Sequence, residues 1–172
     1  LSAWGPYIFW SETVSGHRWA HENFSLIISY NTLTGEKKTL LPRTRYFNPV
    51  TSDDGSVLAV VHYPAQGGSE LHLLNTWTGE LLERHPAPRG EQLTETAWLD
   101  NNTLFVLMTG EEGSGIYKLD REKKSWKTVL KPGFHSLAGL QEAYGLLYFT
   151  SDRVDNTDNI FCLDPENGSI LK

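Results

Sequence analysis

One cysteine, Cys162, in a chain of 172 residues rules out an internal disulfide. Its solitude does not fix a compartment, because domains in oxidising and reducing surroundings alike fold without such bonds. Basic residues are in the minority: fifteen Lys and Arg stand against twenty-one Asp and Glu, a net charge of −6. Phosphate recognition needs a basic face, so nucleic acid is not expected as a partner. The one basic cluster, Arg121, Lys123, Lys124 and Lys127, is interrupted by Glu122 and reads as a solvated turn. Long apolar runs are missing too. The best candidates, such as residues 57–61, are strand-sized, and no membrane insertion is expected in this segment. Residues 1–6 carry neither the basic nor the apolar part of a signal peptide and no Met, so the chain reads as a piece of a longer one.

Helical periodicity with caps is also lacking, which leaves an all-β reading. The chemistry-bearing motifs are absent in turn: no Gly-x-Ser-x-Gly elbow, no P-loop, no Cys-x-x-Cys and no dinucleotide fingerprint. Ser114 has Gly113 and Gly115 beside it, but at the wrong spacing, and a hairpin explains them. Catalytic residues, cofactors and metals are therefore not expected.

What the chain does have is a period. Apolar residues make up 39% and aromatics 12%, as in folded globular proteins. An Asn or Asp recurs at 31, 75, 120 and 164, a step of about 44 residues that matches one four-stranded propeller blade. Each anchor opens a turn, Asn31 to Gly35, Asn75 to Gly79, Asp120 to Lys124 and Asp164 to Gly168. An Asx side chain there bonds its own backbone two residues on, and Gly supplies positive φ. Lys124 stands where the others carry Gly, so the third turn is expected to be more strained or of another type.

Strands keep the same order around each anchor. Short strands precede it at 25–30, 71–74, 116–119 and 160–163. Nearly continuous apolar runs lie upstream at 7–10, 57–62, 103–108 and 146–150, as for strands buried on both faces. Outer strands follow it at 37–41, 81–84 and 126–130, with a stub at 170–172, and alternation is clear in 126–129. Innermost strands are placed at 2–4, 47–50, 94–98 and 136–140, with Pro49 marking an edge or a bulge. The expected architecture is all-β: a partial β-propeller of about four four-stranded blades, approximately 1–45, 46–91, 92–133 and 134–172.

The sharpest signature runs from Phe47-Asn48-Pro49 through Ser52-Asp53-Asp54-Gly55 to Leu74-Asn75 and Thr78-Gly79-Glu80. It resembles the WD40-like repeat of the TolB propeller family, with Asp53 in place of that family's second Pro. The last repeat resembles it also, in residues 147–153 and 159–161. The resemblance implies a six- to eight-bladed parent, and the stretch from Trp10 to Gly55 also resembles large bacterial envelope proteins of the Bacteroidetes type. It further implies a non-catalytic module for protein or peptide partners in the periplasm or cell envelope. Related repeats form the substrate-gating propellers of prolyl oligopeptidase and dipeptidyl peptidase-type serine peptidases, a second reading; a carbohydrate- or small-ligand-binding propeller is a third. Other blades of the parent, or a second copy, are expected to cover the terminal sheet faces.

Loops at 15–22, 63–69, 109–115 and 152–158, the last reading as a solvated turn, join the second and third strands of successive blades and carry the candidate partner contacts. They are His17, Arg18, Trp19, His21 and Glu22; Tyr63 and Gln66; Glu111 and Glu112; and Asp152, Arg153 and Asp155. His17, His21 and Glu22 lack the zincin pattern, and Asp152, Asp155 and Asp158 lack the EF-hand spacing. His62, His72, His85 and His135 read as members of different repeats with no shared motif. Cys162 reads as a buried inert thiol on an inner-type strand. Trp77, in a turn between Thr76 and Thr78, suits either a partner contact or packing.

Overall fold

In a computed structural model, sixteen β-strands form four antiparallel sheets of four strands each, with no helix among the described residues. Those residues are 1–15, 23–134, 136–153 and 156–171. Every sheet is an up-and-down meander in which sequence neighbours are hydrogen-bonded neighbours, the blade expected from the period.

Contacts divide the chain into two units, Leu1–Pro86 and Ala87–Lys172. In the first unit, β1 (Ser2–Trp4), β2 (Tyr7–Ser15), β3 (Asn23–Asn31) and β4 (Lys37–Thr44) make one sheet. β5 (Tyr46–Thr51), β6 (Val57–His62), β7 (Glu70–Asn75) and β8 (Leu81–Pro86) make the next. The two stack through buried Phe9 and Ile27 on one side and Leu58, Val60 and Leu74 on the other. β6 is buried along nearly its whole length, which is why its sequence is apolar without alternation.

The second unit repeats the scheme. β9 (Gln92–Asp100), β10 (Thr103–Gly110), β11 (Gly113–Asp120) and β12 (Ser125–Phe134) form one sheet. β13 (Ser136–Ala143), β14 (Leu146–Arg153), β15 (Asn156–Leu163) and β16 (Ile170–Leu171) form the other. Their core joins Phe105, Leu107 and Ile116 to Leu137, Leu147 and Phe149. Flat apolar faces of this kind satisfy the hydrophobic requirement only by stacking sheet on sheet.

The anchors act as the sequence implies. Asn31 Oδ1 accepts from the Leu33 and Thr34 amides at 2.9 and 3.2 Å, and Asn75 Oδ1 from those of Trp77 and Thr78 at 2.9 and 3.0 Å. Asp164 Oδ1 accepts from the Glu166 amide at 2.9 Å. The Gly35, Gly79 and Gly168 amides each return to the anchor's carbonyl. The third turn differs. Lys124 holds φ +49 and its amide reaches Arg121 O, not Asp120 O. Pro49 sits in a bulge: Phe47 pairs with Val61 and Val50 with Ala59, so Asn48 and Pro49 together oppose Val60.

Candidate functional site

Hairpin ladders run further than the apolar residues that announce them. The loop expected over 109–115 is almost all ladder: Thr109 pairs with Ser114 and Gly110 with Gly113, leaving Glu111 and Glu112 at the tip. β14 likewise continues through Asp152 to Arg153 and β15 begins at Asn156, so the solvated turn expected over 152–158 is shorter than the sequence suggested. Backbone pairing does not need apolar side chains, so both expected loops are corrected. His17, Arg18, Trp19, His21, Glu22, Asp155 and His135 lie outside the described residues. For Arg153 and Asp158 only the backbone is described. Asp152 and Gln66 are exposed, whereas Tyr63 packs on Phe47 with ring centroids 5.5 Å apart.

In the second unit, the acidic hairpin tip borders a cleft of about 270 Å³. Its other wall is the chain entering β9, at Arg89, Gly90 and Glu91, and Tyr117 lines it from β11. Glu91 is nearly buried, and its carboxylate accepts from the Arg89 amide at 2.7 Å and from Arg89 Nε at 3.1 Å. Burial pushes the Glu91 carboxyl up, but the Glu91 and Arg89 amides and the Arg89 guanidinium together hold it below the usual range. Arg89 Nη2 also donates to Tyr117 Oη at 3.4 Å, which with Glu91 keeps the guanidinium protonated. Gly110 leaves the floor open: a Cβ there would come within 3.1 Å of Glu91 Cγ. Glu111 and Glu112 are exposed at the rim, and Arg89 is already committed to Glu91. The cleft therefore offers negative charge to a visitor. Sequence reading found the two rim glutamates but missed Arg89, Glu91 and Tyr117. The Pro-Arg-Gly-Glu stretch at 88–91, linking one blade to the next, was the available signal.

A second arrangement corrects the reading of the histidines. His62 and His72 belong to one sheet and touch, with ring centroids 4.5 Å apart. His62 is the cross-strand partner of Glu70, and His72 follows Glu70 by two residues, so all three share a sheet face. His72 Nε2 lies 2.8 Å from Glu70 Oε2, and His62 Nδ1 lies 3.6 Å from the same oxygen. Tyr46 Oη is 3.1 Å from His72 Nδ1, and Arg84 Nε is 3.5 Å from Glu70 Oε2. Burial pushes both imidazoles below their usual range against the pull of the Glu70 carboxylate, while the His72 hydrogen bond holds Glu70 itself down. His85 lies in the same sheet but pairs with Glu83 instead, at 2.9 Å. The expected scatter failed because cross-strand register, not spacing along the chain, brings 62 and 70 together.

Two smaller expectations resolve. Trp77 packs on one side, its ring edge-on to Tyr7 at 4.9 Å and to Trp4 at 5.8 Å, and stays 42% exposed on the other. Cys162 is only half-buried, on the third strand of its sheet opposite Tyr148, so the buried inner thiol is corrected.

No family model and no curated protein matches the chain. Solved structures do. TolB from Acinetobacter baumannii superposes with a TM-score of 0.73 at 17% identity, covering 95% of this chain and 40% of that one. A putative TolB from Agrobacterium tumefaciens gives 0.67 at 14% identity, over 96% and 61%. The acylaminoacyl peptidase of Pyrococcus horikoshii gives 0.65 at 14% identity, over 99% and 26%. The chain thus has the β-propeller fold, TolB-like in its blades, and spans between 26% and 61% of the length of these proteins.

Proposed function

We propose that this chain is a non-catalytic propeller module that holds a protein or peptide segment, and that the cleft beside Glu111 and Glu112 receives a cationic side chain of that segment. The observation that carries the reading is the charge of the cleft: three carboxylates, Glu91, Glu111 and Glu112, with the one lining guanidinium, Arg89, already paired. A Lys or Arg side chain entering there gains charge-assisted hydrogen bonds to the rim. The TolB likeness supports a periplasmic or cell-envelope setting for the module. The peptidase likeness supports a second reading, a propeller that filters substrates for an adjoining serine peptidase domain.

The test is fluorescence anisotropy with a labelled Lys- and Arg-rich peptide and an acidic peptide of the same length. The basic peptide should bind, more weakly as salt rises, and Glu111→Lys with Glu112→Lys should weaken it by about tenfold. Equal binding of both peptides, or indifference to the double substitution, contradicts the proposed cleft.

A further inference from the structure

We propose that His62, Glu70 and His72 form a binding site for a divalent zinc-type cation on the second sheet. The sheet itself aligns the donors: β6 ends at His62, β7 begins at Glu70, and the pairing of 62 with 70 sets an imidazole beside a carboxylate. His72 is the next residue of β7 on that face. The three donor atoms lie within 4.8 Å of one another, a grouping found among the described residues without any help from a loop.

The geometry lies near what zinc needs. Bonds of about 2.1 Å in a tetrahedron separate donors by roughly 3.4 Å. The His62–Glu70 separation of 3.6 Å already fits, the His72–Glu70 separation of 2.8 Å opens slightly as a hydrogen bond gives way to two metal bonds, and the two imidazole nitrogens, within 4.8 Å of each other, must draw together around the ion. Two nitrogens and one carboxylate oxygen favour zinc over calcium or magnesium, which take oxygen cages.

Three further features point to a ligand. His62 Nδ1 is buried and has no hydrogen-bond partner, a cost that coordination removes. Tyr46 Oη stands against His72 Nδ1, where it accepts the Nδ1 proton and leaves Nε2 free to ligate; carboxylate and hydroxyl partners orient metal-bound imidazoles in this way. His72 keeps one proton throughout, moved from Nε2 to Nδ1. His72 is 2% exposed and His62 and Glu70 just over a fifth, so the site is sheltered yet open on one side, as a three-ligand centre with solvent in the remaining position requires. Arg84, whose guanidinium now neighbours Glu70, is 59% exposed and yields to the metal by turning into solvent.

The test uses the full chain after chelator treatment. Zinc titrated calorimetrically should bind at one equivalent and raise the melting temperature, since a ligand of the folded state stabilises it. X-ray absorption at the zinc edge should show two imidazoles and an oxygen shell. His62→Gln and Glu70→Gln should each weaken binding severely, and Tyr46→Phe on the order of tenfold. His62, Glu70 and Tyr46 all lie at strand ends, and circular dichroism checks that the three variants fold. A paired H17A/H21A variant should bind as the parent does. The proposal is overturned by an absence of zinc uptake, by uptake indifferent to His62→Gln and Glu70→Gln, by uptake lost in H17A/H21A, or by an absorption spectrum without two imidazoles.

Discussion

The indole of Trp4 lies against Gly55 so closely that a Cβ at Gly55 would come within 2.3 Å of its Cδ2 and Cε2. Trp4 Nε1 donates to Asp53 O at 2.9 Å, so the first sheet grips the turn that precedes β6 of the second. Gly55 also holds φ +71, which a side chain disfavours. Gly55→Ala is expected to destabilise the first unit by about 2–4 kcal/mol, the sum of backbone strain and overpacking. Urea unfolding followed by tryptophan fluorescence measures it, and a change under half a kcal/mol would remove Trp4 from the packing account.

Asn75 does more than open its turn, because the amide it binds at 2.9 Å belongs to Trp77, whose ring packs on Tyr7, Phe9 and Trp4. Asn75→Ala removes two hydrogen bonds and loosens that aromatic cluster. A loss of about 1–3 kcal/mol is expected, with a red shift of tryptophan emission in the folded state. Asn75→Asp, which keeps the acceptor, should lose much less.

Lys124 occupies the position that glycine fills in the other three turns, at φ +49. Lys124→Gly relieves a left-handed conformation and should stabilise the chain by about 1 kcal/mol. Thermal melting compares the two, and a lower melting temperature for the glycine variant would mean that the loss of unfolded-state stiffness outweighs the relief.

Asp54 holds the turn before β6 together: its Oδ1 accepts from Ser52 Oγ at 2.7 Å, the Ser56 amide at 2.9 Å and Ser56 Oγ at 2.8 Å. These bonds, the Ser56 amide foremost, hold the carboxyl below its usual range. A depressed folded value contributes stability above the unfolded pKa, and that stability is lost as pH falls from about 4 through the folded value. Asp54→Asn keeps an acceptor that cannot be protonated. Its urea midpoint should fall less steeply than the parent's below about pH 4; parallel acid limbs would contradict the assignment.

The repeats were legible because a propeller writes its turns into side chains: Asn31, Asn75 and Asp164 bond backbone amides two residues on, and that chemistry needs those residue types at a fixed phase. Pro49 announced its bulge for the same reason, since it cannot serve a regular ladder. The site residues were less legible. Glu111 and Glu112 could be read as a tip, but their cleft depends on Arg89 and Glu91, which arrive from the link between blades. His62 and His72 meet only through the register of a hairpin, and a one-residue slip would send one of them to the opposite face. Chain spacing carries no such information until the pairing is known.

Binding at the acidic cleft is tested most directly by titrating the isotopically labelled chain with the Lys- and Arg-rich peptide and following backbone amide resonances. Shifts should concentrate on Arg89 to Glu91 and Glu111 to Gly113, the two walls of the cleft, and fade as salt is added. Saturable shifts that leave both walls unmoved would contradict the proposed function.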